Sequence, residues 1–193
     1  MTPTPDDGTR RSDLRVWDET QRPTGPAPEP GTRYPRAQQA QLLVDVHDGL
    51  RAQLAELHDL VEQVAAGSVD VAAARSHIAT MTLRQNAWVL GGYCISYCRT
   101  VTTHHTIEDT SMFPQLRHAD RRLEPVIDRL QLEHEVIHEV LEDVDRALVA
   151  LVAAPVAGLP GLRAAVDLLS DALLSHLSYE ERELVEPLAR LGG

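Results

Sequence analysis

HHTIEDTSMFP at residues 104–114 and HLSYEERELVEP at residues 176–187 decide the fold and the chemistry predicted for this chain of 193 residues. The first stretch places His104 four residues before Glu108, and the second places His176 four residues before Glu180. Residues four apart lie on one face of an α-helix, separated by about one 5.4 Å turn. Because both pairs interrupt otherwise apolar stripes, we expect their polar side chains to point into a helical core.

Apolar residues recur at the three- and four-residue spacing of amphipathic helices through most of the chain. The predicted helices cover residues 37–66, a shorter stretch at 69–83, and residues 85–117, 121–153 and 161–190. Pro114 is predicted to kink or end the second main helix. The segment from Ala154 to Pro160, with two prolines and a glycine, is predicted to be a loop. No strand is predicted, so the expected fold is all-α: an antiparallel up-down-up-down four-helix bundle.

The N-terminal region differs in composition from the rest of the chain. Residues 1–36 hold seven of the twelve prolines and few apolar residues. Such segments typically cannot bury enough apolar surface to fold. We therefore predict a disordered or loosely docked tail at residues 1–36 and a helical bundle at residues 37–193.

The net charge of −11 bears on the partners of the protein. A strongly acidic domain repels nucleic acid and anionic lipid, so we expect neither as a partner. No apolar run approaches the roughly 18 residues that a membrane-spanning helix needs. The N-terminal residues MTPTPDDGTRR contain no apolar run typical of a signal peptide, so we expect a cytoplasmic location.

Each helical stripe carries His or Glu at one level, where the pattern elsewhere has apolar residues. These residues are His47 in the first helix, His104 and Glu108 in the second, His134 and His138 in the third, and His176 and Glu180 in the fourth. Burying so many ionisable groups without partners would be costly, and bound cations would compensate them together. Imidazole and carboxylate ligands suit iron, manganese or zinc. Five histidines and two carboxylates exceed the needs of a four-coordinate structural zinc ion, so two metal ions that share bridging carboxylates are the better prediction.

These motifs resemble a known family. HHTIEDTSMFP and HLSYEERELVEP are similar to the two repeats of the haemerythrin-like, His-His-Glu cation-binding family. EHEVIH (133–138) and VHDGL (46–50) are similar to its third-helix and first-helix signatures, and the resemblance covers residues 40–190. It implies a non-haem di-iron centre, with two iron ions joined by an oxygen bridge, inside the bundle. It also implies work on dioxygen, nitric oxide or hydrogen peroxide.

One open ligand assignment concerns the long connection after the first helix. Fifty-six residues separate His47 from His104, more than in the compact oxygen carriers of the family, and this insertion contains His77. In some relatives, such as bacterial proteins that repair iron centres, a histidine in this connection is a ligand. By that resemblance His77 is a further candidate ligand, as an alternative to His138.

Two other assignments concern neighbouring residues. His104 is favoured over His105 because it shares the apolar stripe of the second helix, and a helix turns about 100° per residue. His105 is instead a candidate for a hydrogen bond behind the ligands. The second repeat has one extra residue before its proline, so Glu181 competes with Glu180, which the stripe favours.

The function expected from this resemblance is a di-iron protein that binds or detoxifies dioxygen, nitric oxide or hydrogen peroxide, with catalase- or peroxidase-like turnover as one form of that activity. The alternative is a module that senses or stores oxygen or iron through a protein partner, without turnover. A structural metal site is a third hypothesis. The sequence shows no attached DNA-binding, kinase or F-box-like segment, which favours a small-molecule role.

Two further groups of residues bear on the chemistry. Proton transfer near the metal is a role open to His105, Glu133 or Glu135, and the sequence does not select among them. Cys94 and Cys98, one turn apart, are too few for a secreted disulfide framework. We predict that they are small core residues, with a redox or regulatory thiol pair as the alternative.

Overall fold

The computed structural model describes residues 16–27, 34–65 and 83–191, and within these ranges every regular element is helical. The helices are α1 (Ala37–Ala65), α2 (Leu83–Ile107), α3 (Phe113–Ala119), α4 (Glu124–Ala153) and α5 (Pro155–Arg190). The predicted short helix at 69–83 lies almost entirely outside the described residues, as does His77. None of the described helices is long and apolar enough to cross a membrane.

Helix α1 runs in the opposite direction to two of its neighbours, α5 and α2. At one end of α1, the Arg36 N–H donates to the Ala189 carbonyl at 3.0 Å, and near the other end Arg163 pairs with Glu62 at 2.6 Å. The residue numbers thus rise along α1 while they fall along α5. The same reversal relates α2 to α1, where Tyr97 and Tyr93 donate to carbonyl groups of successive turns of α1.

The buried core consists of two apolar clusters with a polar layer between them. One cluster contains residues of α1 from Leu50 to Val61 and of α4 from Ile137 to Leu151. The other contains Phe113, Leu123, Ile127 and Leu130 on the far side of the layer. Apolar burial on both sides supplies the main stabilisation of the bundle, so that the layer between can carry polar groups. Every buried residue of the predicted metal set lies in this layer.

The second helix does not end at its proline. A π-helical turn, Glu108–Met112, links α2 to α3, and the Phe113 N–H donates to the Glu108 carbonyl five residues back. Pro114 then stands in the first turn of α3, directly after this π-helical turn. The helical stretch therefore continues past Pro114 to Ala119 instead of ending at the proline, and a π-helical turn precedes it. Such turns are frequent at functional sites.

The predicted loop from Ala154 to Pro160 is wrong, because α5 begins at Pro155 and only Ala154 separates it from α4. Proline is tolerated at the first helical position, so Pro155 starts the helix instead of preventing it. Gly158 makes so short a connection feasible. A Cβ atom at this position would lie 2.5 Å from Leu151 Cα, which shows how closely the first turn of α5 crosses the end of α4.

Residues 16–27 lie along α5 as an N-terminal arm. Several hydrogen bonds hold the arm; among them, Trp17 Nε1 donates to the Ala172 carbonyl (2.8 Å), Tyr179 Oη donates to the Pro23 carbonyl (2.8 Å) and Gly25 N donates to Glu183 Oε2 (2.7 Å). For this part of residues 1–36, the contacts differ from the disordered or loosely docked tail that the composition indicated. Composition missed them because most of these contacts are polar, and among the described residues of the arm only Val16 and Trp17 pack against an apolar cluster.

Candidate metal centre

The polar layer contains two groups of side chains whose donor atoms are close enough to hold a metal ion. Within each group the donor atoms lie within 4.8 Å of one another. The first group comprises His47, His104, Glu108 and Glu180, and the second comprises His105, His134 and His176. The donors come from α1, α2, the π-helical turn, α4 and α5, so that the site ties the bundle together.

In the first group, two imidazoles face two carboxylates. Nε2 of His104 lies 3.1 Å from Nε2 of His47 and 3.0 Å from Glu108 Oε1. Nε2 of His47 lies 3.4 Å from Glu180 Oε2. The Nε2 atoms of both rings therefore point toward the same small volume between α1, α2 and α5.

The two carboxylates stand between the groups. Glu108 Oε1 faces the first group, whereas its Oε2 lies 3.5 Å from Nε2 of His134 in the second. Glu180 Oε2 is 3.9 Å from Nε2 of His176, also in the second group. Each carboxylate is thus within reach of imidazoles from both groups, as a bridging ligand of two ions must be.

The inward-facing atoms lack ordinary partners, which is the test of whether these residues fit a metal. Seven of them are buried without a hydrogen bond of suitable geometry, although Glu108 and Glu180 lie near imidazole nitrogens: His105 Nε2, His134 Nε2, His176 Nε2 and both carboxylate oxygens of Glu108 and of Glu180. Buried polar atoms are nearly always satisfied, and leaving each one unpaired costs about 1–3 kcal/mol. Nitrogen and oxygen donors converging in this way fit cations that prefer imidazole and carboxylate ligands.

The outward-facing nitrogens of three histidines are all held by carboxylates. Nδ1 of His47 contacts Glu181 Oε1 at 2.9 Å, Nδ1 of His134 contacts Asp109 Oδ1 at 3.0 Å, and Nδ1 of His176 contacts Glu133 Oε2 at 3.1 Å. A carboxylate at Nδ1 places the ring proton there and leaves Nε2 free to donate its lone pair. This arrangement is typical of metal-binding histidines.

The electrostatics of the layer keep most of the imidazoles neutral, which is the form that binds metal. Burial lowers the pKa of His104 to about 4, and it lowers the pKa of His105 and of His176 as well. Burial also disfavours the charged form of His47, but Glu108 and Glu180 outweigh it and raise the pKa of His47 to about 10. Burial, together with the neighbouring Glu180, raises the pKa of Glu108.

The structure brings together six of the predicted site residues and replaces one. His138 is not with the others, because its side chain is 59% exposed and lies 3.7 Å from Glu142 on the surface of α4. After His134 the core stripe of α4 continues three residues on through Ile137, which is fully buried, so that His138 points outward. His105 enters instead, stacked on His134 with ring centroids 4.0 Å apart.

His104, which the apolar stripe favoured as a ligand, and His105 lie in different groups. These adjacent side chains diverge by about 100°, and each serves a different group. His104 turns toward His47 of α1, and His105 turns toward His134 of α4. In the sequence, the two adjacent histidines were the feature that could have indicated donors for two groups.

The second carboxylate lies as the stripe of α5 predicts. Glu180 is fully buried between the groups, whereas Glu181 is 23% exposed and bonds the outer nitrogen of His47. Among the candidates for proton transfer, Glu133 is buried against His176, and Glu135 is exposed.

The two cysteines do not join the centre. Cys94 and Cys98 are free thiols, buried and half-buried respectively, and Cys94 belongs to the apolar cluster on one side of the polar layer. Burial raises the pKa of Cys94 to about 12 and that of Cys98 to about 11. Both thiols are therefore protonated at neutral pH.

The described residues thus form a helical bundle with two adjoining groups of buried or nearly buried side chains that could hold metal ions. The family model of the hemerythrin HHE cation binding domain matches residues 39–188. Because the match spans most of the chain, the protein belongs to the hemerythrin HHE cation-binding family, which confirms the resemblance of its motifs. Comparisons with curated proteins and with solved structures found no significant match.

Proposed function

We propose that the polar layer holds two metal ions and that Glu108 and Glu180 bridge them, inside a bundle of up-down-up-down topology. The observation that carries this proposal is the set of seven buried, unpartnered donor atoms that face one another in two groups. His47 and His104 would hold one ion. His105, His134 and His176 would hold the other.

Iron is the metal that the family resemblance favours, as two ions joined by an oxygen bridge. The ligand set supports that choice, since imidazole and carboxylate suit iron and the set contains no thiolate. When bound, a di-iron centre supplies a redox-active site for dioxygen, nitric oxide or hydrogen peroxide.

The burial of the centre supports a small ligand. The side chains of His47, His176 and Glu180 are fully buried, and His134 and Glu108 are nearly so. A surface cavity of about 580 Å³ lies between α2 and α4, and its lining contains none of the proposed ligands. A diatomic molecule or a peroxide is therefore a better fit than an organic substrate.

The chain's own residues have two tasks in this proposal. Asp109, Glu133 and Glu181 hold the imidazoles by their Nδ1 atoms, so that each Nε2 keeps its direction. The apolar clusters on both sides exclude bulk water, which strengthens electrostatic interactions inside the layer.

The experiment begins with elemental analysis of the protein after expression in iron-rich medium. We expect close to two iron ions per chain, and less than half an equivalent of any transition metal, even after reconstitution, would refute the proposal. The double variant Glu108→Gln/Glu180→Gln should lose the metal. Its matched control, Glu135→Gln, changes an exposed carboxylate beside His134 and should keep it.

The loaded protein is then mixed separately with hydrogen peroxide and nitric oxide, and the visible spectrum and oxygen release are recorded. Conversion of two peroxide molecules into one dioxygen and two waters would identify turnover. A stable spectral change without turnover would favour carriage or sensing. No response to any of the small molecules, dioxygen included, would contradict the small-ligand part of the proposal.

A further inference from the structure

The N-terminal arm, residues 16–27, brings a buried arginine to the back of the candidate metal centre. The arm follows α5 in the same chain direction, with its anchor points spread from Ala172 to Glu183. Arg22 lies between these anchors, and its side chain is only 1% exposed. It precedes the matched family range of residues 39–188.

Arg22 bonds both oxygens of one buried carboxylate. Its Nε donates to Glu133 Oε1 and its Nη2 donates to Glu133 Oε2, each at 2.8 Å. The carbon of the guanidinium lies 4.7 Å from the centre of the Tyr179 ring, which fixes its plane further. A two-point contact of this kind fixes the orientation of the carboxylate as well as its position.

The same carboxylate holds a proposed ligand. Glu133 Oε2, which accepts from Arg22, also contacts Nδ1 of His176 at 3.1 Å. Arg129 donates only to the other oxygen, Oε1, at 2.8 Å. Arg22 is thus the cation that shares an oxygen with His176.

The other two carboxylates behind the centre differ from Glu133 in their exposure. The side chain of Glu181 is 23% exposed and that of Asp109 is 34% exposed, whereas Glu133 is fully buried. Water can solvate the first two, but a buried carboxylate depends on protein cations for its compensation. The connection from Arg22 through Glu133 to His176 is therefore the one most sensitive to the arm.

We propose that Arg22 is a positioning residue of the metal centre. By bonding both oxygens of Glu133, it holds the His176 ring in the orientation that a metal ion requires, with the ring proton on Nδ1 and Nε2 free to bind. The arm is then part of the functional unit and not an appendage to the bundle. This inference rests on the proposed metal centre.

The test uses Co²⁺ as a probe in the full-length protein, because its visible bands report the ligand geometry. Arg22→Gln should weaken Co²⁺ binding by about 10–100-fold, the usual effect of losing a partner behind a ligand, and should shift the bands of the loaded protein. Arg22→Lys keeps the charge but one ammonium cannot span both oxygens. We expect it to give a smaller shift in the same direction.

The matched control is Arg182→Gln. Arg182 also lies over the Tyr179 ring, at 5.2 Å, and pairs with Glu183, but within the described part of the chain it forms no hydrogen bond or ion pair with Glu133. It should leave the bands and the affinity for Co²⁺ unchanged. If Arg22→Gln lowers the melting temperature of the metal-free protein but leaves the Co²⁺ bands unchanged, Arg22 is merely structural. That result would overturn the inference.

The outcomes separate this inference from the proposed function. If the wild-type protein binds two Co²⁺ ions and Arg22→Gln binds them with the same affinity and spectrum, the inference is wrong and the proposed centre stands. If Arg22→Gln does not fold, Arg22→Lys decides, and bands identical to those of the wild type overturn the inference. If the wild-type protein binds no Co²⁺, the proposed function fails, and the inference fails with it.

Discussion

His105 is the residue for which the structure makes the sharpest prediction. Changing His105 to Ala removes one of the three imidazoles of the second group, whereas His138→Ala changes an exposed histidine four residues beyond His134. Structural zinc sites with four ligands bind with about 10–16 kcal/mol, or about 3 kcal/mol per ligand. Because 1.4 kcal/mol is a tenfold change, the loss of His105 should weaken binding at the second group by about 100-fold.

That loss converts into a measurable change in melting temperature. At a free metal concentration of about 100 times the dissociation constant, binding stabilises the folded wild type by about 2.7 kcal/mol. The His105→Ala variant would keep only about 0.4 kcal/mol of this at the same concentration. For a domain of this size, the difference corresponds to a metal-induced rise in melting temperature that is smaller by about 5–9 °C.

The assay combines metal content with thermal melting followed by circular dichroism, in the presence and absence of metal. His105 Nε2 has no hydrogen-bond partner, so losing this nitrogen breaks no hydrogen bond in the metal-free protein. The metal-free variant should therefore fold. His138→Ala should keep both ions, since exposed substitutions usually change stability by less than about 0.5 kcal/mol. Full metal content and wild-type affinity in His105→Ala would refute the two-group arrangement.

Three further predictions test the packing, the thiols and the support of the first group. Gly158→Ala should destabilise the protein by about 1–3 kcal/mol in thermal melts, because the new methyl group meets the backbone of α4, whereas Gly161→Ala meets nothing within 4 Å and should be neutral or stabilising. Cys94 and Cys98 have pKa values raised by burial to about 12 and about 11, so at pH 8 both stay protonated. Disulfide-exchange labelling should be at least about 100-fold slower than in the unfolded chain, and equal rates would contradict the burial. Glu181→Gln keeps an acceptor for Nδ1 of the first-helix histidine, so it should retain both ions with about tenfold weaker binding, and complete metal loss would show a more direct role.

The helices were predictable wherever an apolar stripe carries the signal. The first predicted helix begins at residue 37, as α1 does, and the third predicted main helix ends at residue 153, as α4 does. The prediction was wrong at two connections, before α3 and between α4 and α5. The effect of proline or glycine on a helix depends on its position within the helix. Pro155 stands in the first turn of α5, where an N–H is not needed, and Pro114 directly follows a π-helical turn. Gly158 breaks nothing, since it is required by the close crossing of two helices.

The site was predictable as a layer but not in every member. The coincidence of polar residues on the stripes located His47, His104 and Glu108 at one level of the bundle, and the structure brings them together. The stripe argument assumed a single point of convergence on the bundle axis. Two groups side by side need donors that diverge from α2 toward two neighbouring helices, and adjacent residues such as His104 and His105 provide that divergence.

The docking of the N-terminal arm is not indicated by composition, but it is indicated by the charges that the bundle buries. Glu133 lies directly before His134 and three residues after Leu130, so the stripe of α4 already placed an acid at the edge of the core. Buried acids need cations, and Arg129, one turn away, satisfies only one oxygen of Glu133. The other carboxylate oxygen of Glu133 needs a cation from outside the apolar stripes. In the structure this cation is Arg22 of the proline-rich N-terminal region. Hydrogen bonds to Arg22 and His176 outweigh burial and hold the pKa of Glu133 at about 2, which is the electrostatic result of that arrangement. A segment with too few apolar residues to fold alone can therefore still dock on the domain, when one of its charged side chains pairs with a buried charge of opposite sign.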